Sequence, residues 1–264
     1  MARAYKQYKM LRHVEDIMSC DVVTIGPNAS MAEAAVLMGD KHIGSLIVVI
    51  EGTPAGIITE RDLLSGVLAK GKDPATIKVG EVMSSPLITV DARATIKQAA
   101  QAMMVKKGRL AVYQRRDGKE RLVGIITAAD LIKSLPESED TLMSIDDVMT
   151  RRLVTADAAT SVGAVATTMG AKRIGSVVVT RDGTPYGIFT ERDLLTHILA
   201  RGRSLDTAVG EAASSPLVTI PTGSTIHETA ATMTVNQVRR LPVVEDGAFV
   251  GIVTARDLVE AYSK

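Results

Sequence analysis

Tryptophan is missing from this chain of 264 residues, phenylalanine occurs twice and tyrosine five times. A core or binding surface built on aromatic rings is therefore excluded. The apolar share is nonetheless 46%, drawn mostly from Val, Ile, Ala and Met, and such small or branched side chains suit helices packed closely on sheets. One cysteine, Cys20, excludes an internal disulfide framework, fits a reducing compartment and reads as a packed thiol. No apolar run approaches the length that spans a bilayer, and the opening residues lack the apolar stretch of a secretory signal. Cytoplasmic localisation is expected, with no membrane partner. An excess of one charge sign is also missing, with 31 basic against 30 acidic residues. Dedicated nucleic-acid binders draw most of their affinity from phosphate neutralisation. Nucleic acid is thus not an expected partner, although Arg115-Arg116, Arg151-Arg152 and the basic segment 1–13 offer local patches. The four histidines (His13, His42, His197 and His227) show no metal-ligand spacing, and no HExxH, GxSxG or Walker-type loop is present. An enzyme is not expected, and neither a catalytic residue, a metal nor a catalytic cofactor is assigned.

What is present is repetition. One pattern recurs four times: Gly56-Ile57-Ile58-Thr59 with Asp62, Gly124-Ile125-Ile126-Thr127 with Asp130, Gly187-Ile188-Phe189-Thr190 with Asp193, and Gly251-Ile252-Val253-Thr254 with Asp257. The copies are unequally alike. Repeats 1 and 3 share Ile43-Gly44-Ser45 and Ile174-Gly175-Ser176, and both carry TERDLL after the glycine. Repeats 2 and 4 share Val79-Gly80-Glu81 and Val209-Gly210-Glu211, then Ser84-Ser85-Pro86-Leu87 and Ser214-Ser215-Pro216-Leu217. Duplication of an already paired unit is the simplest account. Segment 133–144, with Pro136, Glu137, Glu139 and Asp140, reads as the polar linker between the pairs.

Within each repeat the order of elements is legible. Short extended stretches come first: Val22–Ile25, Leu87–Val90, Leu153–Ala156 and Leu217–Ile220. Helices follow, opened by capping boxes at Ser30/Glu33, Thr95/Gln98 and Thr225/Glu228, whereas Ser161 lacks a reciprocal partner because Ala164 stands there. Buried strands such as 46–50 and 177–179 then run into Glu51-Gly52, Asp117-Gly118, Asp182-Gly183 and Asp246-Gly247, dipeptides that tolerate the positive φ of tight hairpins. The returning strand carries the glycine motif, and a second helix starts at Thr-x-x-Asp. The expected class is α/β (α+β), with each βαββα unit too small to bury its sheet alone.

Thr-x-x-Asp has two readings. A threonine three residues before an acid at a strand-to-helix junction caps the helix, and chemistry alone favours this structural role. The same geometry presents a carboxylate that can accept ribose hydroxyls beside backbone N–H groups suited to phosphate. Ile57 is two residues before Thr59 on an extended strand, so it faces the same side and can line a base pocket. Cations cluster nearby: Arg61, Arg192 and Arg256 inside the motif, and Lys41, Arg109, Lys172, Arg173, Arg239 and Arg240 before the core strand.

Four such motifs in register, with Met18-Ser19, Met83-Ser84 and Met149-Thr150 near the unit starts and Arg239-Arg240-Leu241-Pro242-Val243-Val244 in the last unit, resemble the CBS-domain family across residues 12 to 262. The resemblance implies CBS repeats at 12–66, 77–135, 143–197 and 207–262. It also implies two Bateman modules, 1–135 and 143–264, similar in arrangement to the gamma subunit of AMP-activated protein kinase. By that resemblance Asp62, Asp130, Asp193 and Asp257 hold ribose, and Thr59, Thr127, Thr190 and Thr254 support ribose or phosphate. Ile57, Ile125, Ile188 and Ile252 contact the base, and Arg239-Arg240 contact phosphates. The implied ligand is AMP, ADP or ATP, with S-adenosylmethionine or methylthioadenosine as the alternative where cations are few. The implied role is regulation of an unidentified protein partner in trans, with a homodimer as a possible assembly. A nucleic-acid-binding or architectural scaffold is the remaining alternative. The repeats depart from one another. Repeat 2 has Ala128-Ala129 where repeats 1 and 3 have Glu-Arg, and Arg109 compensates; Ile43 and Ile174 align with Arg240, beside His42 and Arg173; and Ala212-Ala213 replaces Val82-Met83. Fewer than four working sites are therefore expected.

Overall fold

The computed structural model describes residues 13–106, 108–135, 138 and 141–264. The basic segment up to Arg12 lies outside them, as do Pro136, Glu137, Glu139 and Asp140 of the expected linker. The described residues form a mixed α/β fold with four three-stranded sheets, one per repeat. In repeat 1, β1 (Thr24–Ile25) runs parallel to β2 (Ser45–Ile50), and β2 pairs antiparallel with β3 (Thr53–Thr59). The parallel step needs a crossover, supplied by the helix Met31–Asp40. Repeats 2, 3 and 4 repeat this order with β4 (Thr89–Asp91), β5 (Leu110–Arg116) and β6 (Lys119–Ile126), then β7 (Thr155–Asp157), β8 (Ser176–Arg181) and β9 (Thr184–Thr190), then β10 (Ile220–Pro221), β11 (Arg240–Glu245) and β12 (Ala248–Thr254). The leading strands are shorter than the stretches expected from sequence.

Local signals act where the sequence puts them. Ser30 Oγ accepts the Glu33 N–H at 3.1 Å, and the Glu33 carboxylate accepts the Ser30 N–H at 2.7 Å. Ser161 makes only the forward half of this exchange, with the Ala164 N–H at 3.3 Å, because alanine has nothing to return. All four hairpin dipeptides adopt positive φ at both residues, for example 48° at Asp246 and 81° at Gly247.

The chain divides into two compact units, and each takes two repeats. One comprises 23–87 and 154–217, hence the sheets of repeats 1 and 3; the other comprises the described residues of 13–22, 88–153 and 218–264, hence those of repeats 2 and 4. This partition differs from the sequence halves 1–135 and 143–264. In the repeat 1/3 unit, Met31, Leu46, Ile58 and Leu63 share one core with Met169 and Phe189. Gly39 faces Ala200 and Gly170 faces Ala69 so closely that a Cβ on either glycine would collide. In the repeat 2/4 unit, Leu110, Ile126 and Leu131 share a core with Leu241, Val253 and Leu258. No helix among the described residues is long and apolar enough to cross a membrane.

Candidate functional site

The recurring glycine of each copy is required by a close approach of backbone. Ile57 N–H donates to Ser84 O at 2.9 Å and Ser84 N–H donates to Ile57 O at 2.9 Å, so a leader segment lies along the outer edge of β3. A Cβ on Gly56 would sit 2.8 Å from Ser84 O and 2.9 Å from Met83 Sδ. Equivalent bridges join Ser19 to Ile125, Thr150 to Ile252 and Ser214 to Ile188. The leader that opens one repeat therefore bonds to the sheet of its neighbour: Met18-Ser19 serves repeat 2 and Met83-Ser84 serves repeat 1. Sequence reading assigned each Met-Ser or Met-Thr pair to the repeat it begins, because nothing local reveals the exchange.

Each motif threonine stands at a strand-to-helix junction with extended backbone, at the N-cap position of the next helix. Thr59 N–H and Thr59 Oγ1 both donate to Asp62 Oδ2, at 2.8 and 2.6 Å. Thr127 with Asp130, Thr190 with Asp193 and Thr254 with Asp257 form the same pair of bonds at 2.6–2.9 Å. The aspartate accepts from its threonine in all four copies, which occupies one carboxylate oxygen each time, and the forward bond from the aspartate N–H to the threonine hydroxyl is made in repeats 1, 3 and 4.

The other oxygen distinguishes the copies. Asp193 Oδ1 accepts the Ser214 hydroxyl at 2.8 Å, and His197 Nδ1 lies 3.8 Å from it while also 2.9 Å from Ala212 O. Asp193 is buried, so this copy is closed by its own neighbours. Repeat 1 has Gly66 where His197 stands, and its helix Glu60–Gly66 stays regular, whereas repeat 3 passes into a π-helical turn over Leu194–Ile198. Asp130 Oδ1 has Lys133 Nζ at 3.8 Å, a cation that sequence reading passed over. Asp257 Oδ1 accepts no hydrogen bond from the described residues and is not sealed from solvent. Burial pushes the Asp257 carboxyl up from its ordinary value; the Thr254 hydroxyl and backbone bonds oppose this, Glu260 adds to it, and Arg256 opposes it.

The cations also divide by unit. Arg61 Nε donates to Glu191 Oε1 at 3.1 Å, and Arg192 Nε donates to Glu60 Oε1 at 3.3 Å. Both arginines of repeats 1 and 3 are thus drawn to buried glutamates. Arg240 opens β11 directly across from Thr254. The strand register places Ser45 across from Thr59 and Ser176 across from Thr190. Serines, not Ile43 and Ile174, therefore stand where Arg240 does, which corrects the alignment read from sequence. The offset arises in the helix-to-strand corner, where His42, Arg173 and Gln237 share a positive φ of 53–54° and so mark equivalent positions. Arg173 is consequently an exposed helix-capping residue, and Arg239 aligns with Gly44 and Gly175. By the same register Arg109, just before Leu110 opposite Ile126, matches Arg240. Ile57, Ile188 and Ile252 are half-buried and Ile125 is buried.

A family model for the CBS domain matches residues 14–69, 79–137, 145–200 and 209–264. The chain belongs to the CBS-domain family. CBS-domain protein YhcV of Bacillus subtilis is 34% identical over 119 residues, which is 45% of this chain and 81% of that protein. An uncharacterized protein of Methanopyrus kandleri, MK0525, is 36% identical over 126 residues, 47% of this chain; the match spans 62% of that relative's length. Among solved structures, protein MJ1225 of Methanocaldococcus jannaschii, described as a candidate archaeal homolog of g-AMPK, superposes with a TM-score of 0.75 at 23% identity, covering 95% of this chain and 99% of that one. A conserved protein of Pyrococcus horikoshii gives 0.63 at 23% identity over the same shares. These two likenesses concern the four-repeat fold. CBS proteins are regulatory rather than catalytic as a class, and this chain takes that coarse assignment with the family.

Proposed function

We propose that this chain is an adenosine-nucleotide sensor, taking AMP, ADP or ATP, that regulates a partner protein in trans. The observation that carries the reading is Asp257. Its carboxylate is held by Thr254 through one oxygen, keeps the other open to an incoming hydroxyl, and stays in a setting that disfavours its charge. A cap alone does not require that second oxygen. Arg240, across from Thr254, supplies a cation for phosphate in the same repeat, and Arg109 does so beside Thr127. Repeats 2 and 4 are the phosphate-suited copies. In this reading the halves 1–135 and 143–264 act as the two Bateman modules, and the protein works in the cytoplasm.

A second reading applies to repeat 1. A serine stands there in place of the strand arginine, which favours phosphate-poor adenosine compounds such as methylthioadenosine or S-adenosylmethionine. Calorimetry and thermal shift with AMP, ADP, ATP, S-adenosylmethionine and methylthioadenosine test both. A ligand selective for the folded chain raises its melting temperature with concentration. If no adenosine compound does so at millimolar concentration, the sensor reading is wrong.

A further inference from the structure

The hairpin of repeat 2 is longer than the other three. Between the register shift in each hairpin and its turn, repeats 1, 3 and 4 make two cross-strand pairs, as in Val49 with Pro54 and Ile50 with Thr53. Repeat 2 makes four: Tyr113 with Leu122, Gln114 with Arg121, Arg115 with Glu120 and Arg116 with Lys119. The β5–β6 ribbon therefore projects about 7 Å further, an extension the fold does not require, since three repeats close without it. All of residues 115–121 are exposed. Cross-strand partners share a face, and so do alternate residues of a strand. Gln114, Arg116, Lys119 and Arg121 thus stand on one face, and Tyr113, Arg115, Glu120 and Leu122 on the other. The second face is balanced, with Arg115 across from Glu120. The first carries three cations and no acid of its own. Arg116 is directly opposite Lys119, a pairing of like charges that weakens a ribbon. None of the three cations forms an ion pair with a described residue. The pairs that flank the turn elsewhere, Ile50 with Thr53, Arg181 with Thr184 and Glu245 with Ala248, hold one cation between them.

We propose that this face of the ribbon docks an acidic segment of a partner protein, bound in extended form along the open edge of β6. That strand is the outer one of its sheet, and the leader pairs with it only at Ile125, so residues 119–122 offer their outer backbone groups to another strand. An added strand completes those backbone bonds. Its alternate side chains recur about every 7 Å, which is the spacing of Lys119 and Arg121. Acids at alternate positions therefore meet both cations, with Arg116 beside Lys119 across the ribbon. Nucleic acid fits this face less well. The cationic face ends at its base, where Gln114 Nε2 donates to Glu15 Oε2 at 3.5 Å, so a longer phosphate backbone runs onto a carboxylate. Three cations also release few counterions, and the chain as a whole carries no basic excess. None of the adenosine-site geometry enters this inference, which adds the surface that holds the partner.

Fluorescence anisotropy on the full chain tests this, with a labelled peptide of alternating Glu and Thr as the probe. The peptide binds in low salt, and Arg116→Gln/Lys119→Gln/Arg121→Gln weakens it about tenfold, because exposed ion pairs are individually small and add up. Lys70→Gln/Lys72→Gln/Arg201→Gln removes three charges from exposed positions elsewhere and leaves the affinity nearly unchanged. Equal weakening by the two triple variants, or no binding at millimolar peptide, overturns the inference. A peptide of the same composition with its acids in one block binds more weakly; equal binding removes the extended pairing along β6. Lys119→Glu sets opposite charges across the ribbon, so it melts at or above the wild-type temperature while it loses the peptide. A lower melting temperature means that the like pair carried no cost, and the inference fails. Charged edge strands also guard against self-pairing. If that is their whole role, the glutamine triple variant self-associates in sedimentation while the peptide ignores both proteins. Duplex DNA that binds through these three residues more tightly than the peptide likewise overturns the assignment. A failure of adenosine compounds to bind defeats the sensor reading and leaves these outcomes untouched.

Discussion

Replacing Asp257 separates a helix cap from a ligand anchor. In Asp257→Ala the Thr254 N–H and hydroxyl lose the acceptor they now reach at 2.7 Å. A partly buried donor left unpaired costs about 1–3 kcal/mol, and a chain of this size loses roughly 2–4 °C of melting temperature per kcal/mol. Asp257→Asn behaves differently. Its amide oxygen accepts the same two bonds, and it carries no charge to desolvate. Because burial raises the Asp257 pKa, ionisation of this group penalises the fold above the raised value, and the penalty is relieved as pH falls towards and below the ordinary 3.8. The asparagine variant therefore melts at or above the wild-type temperature at pH 7, and the difference closes in acid. Binding moves the other way. The side-chain NH2 replaces the open Oδ1, so an accepting group facing a ribose hydroxyl becomes a donor. A hydrogen bond to a charged group contributes about 1.5–3 kcal/mol, so AMP affinity in one class of sites falls about ten- to hundredfold. Calorimetry beside thermal melts at pH 7 and pH 4 measures both. Unchanged AMP binding in Asp257→Asn, or a melting loss equal to that of Asp257→Ala, refutes the reasoning.

Two further outcomes follow from the geometry. Gly251→Ala places a Cβ 2.8 Å from Met149 Sδ and 2.9 Å from Thr150 O, and backbone cannot yield as a side-chain end can; overpacking of this kind costs about 1–3 kcal/mol. Denaturant melts should show that loss, while the same change at Gly26, which has nothing within 4 Å, leaves stability nearly unchanged. The Glu33 and Glu228 carboxyls are held below their ordinary 4.5 by backbone and hydroxyl bonds from Ser30 and Thr225. Their stabilisation is full above that value and lost as pH falls through the lowered one, so Glu33→Gln/Glu228→Gln flattens the acid limb of the melting profile.

What was legible in the sequence is what a few neighbouring residues decide. Ser30 with Glu33 and Asp246 with Gly247 specify a helix start and a tight turn without help from elsewhere, and the fourfold glycine motif reports the repeat. The remainder depends on residues distant in sequence. Arg61 reads as a phosphate ligand until Glu191, far along the chain, is seen beside it. Ser214 gives no sign that it will close Asp193, and the Arg240 alignment slips because helix-to-strand corners carry no periodic signal. The leader exchange is equally silent, since Ser84 is one of many serines until it pairs with Ile57.

The chain passes from one compact unit to the other four times, near residues 22, 87, 153 and 217. Neither half of the polypeptide owns a complete interior: Leu46 and Ile58 need Met169 and Phe189, and Leu110 and Ile126 need Leu241 and Val253. Severed at the linker, the two halves would be complementary fragments, each with two unfinished faces that the other completes. Intact, the linker converts that bimolecular reassembly into an intramolecular one, at an effective concentration set by its length.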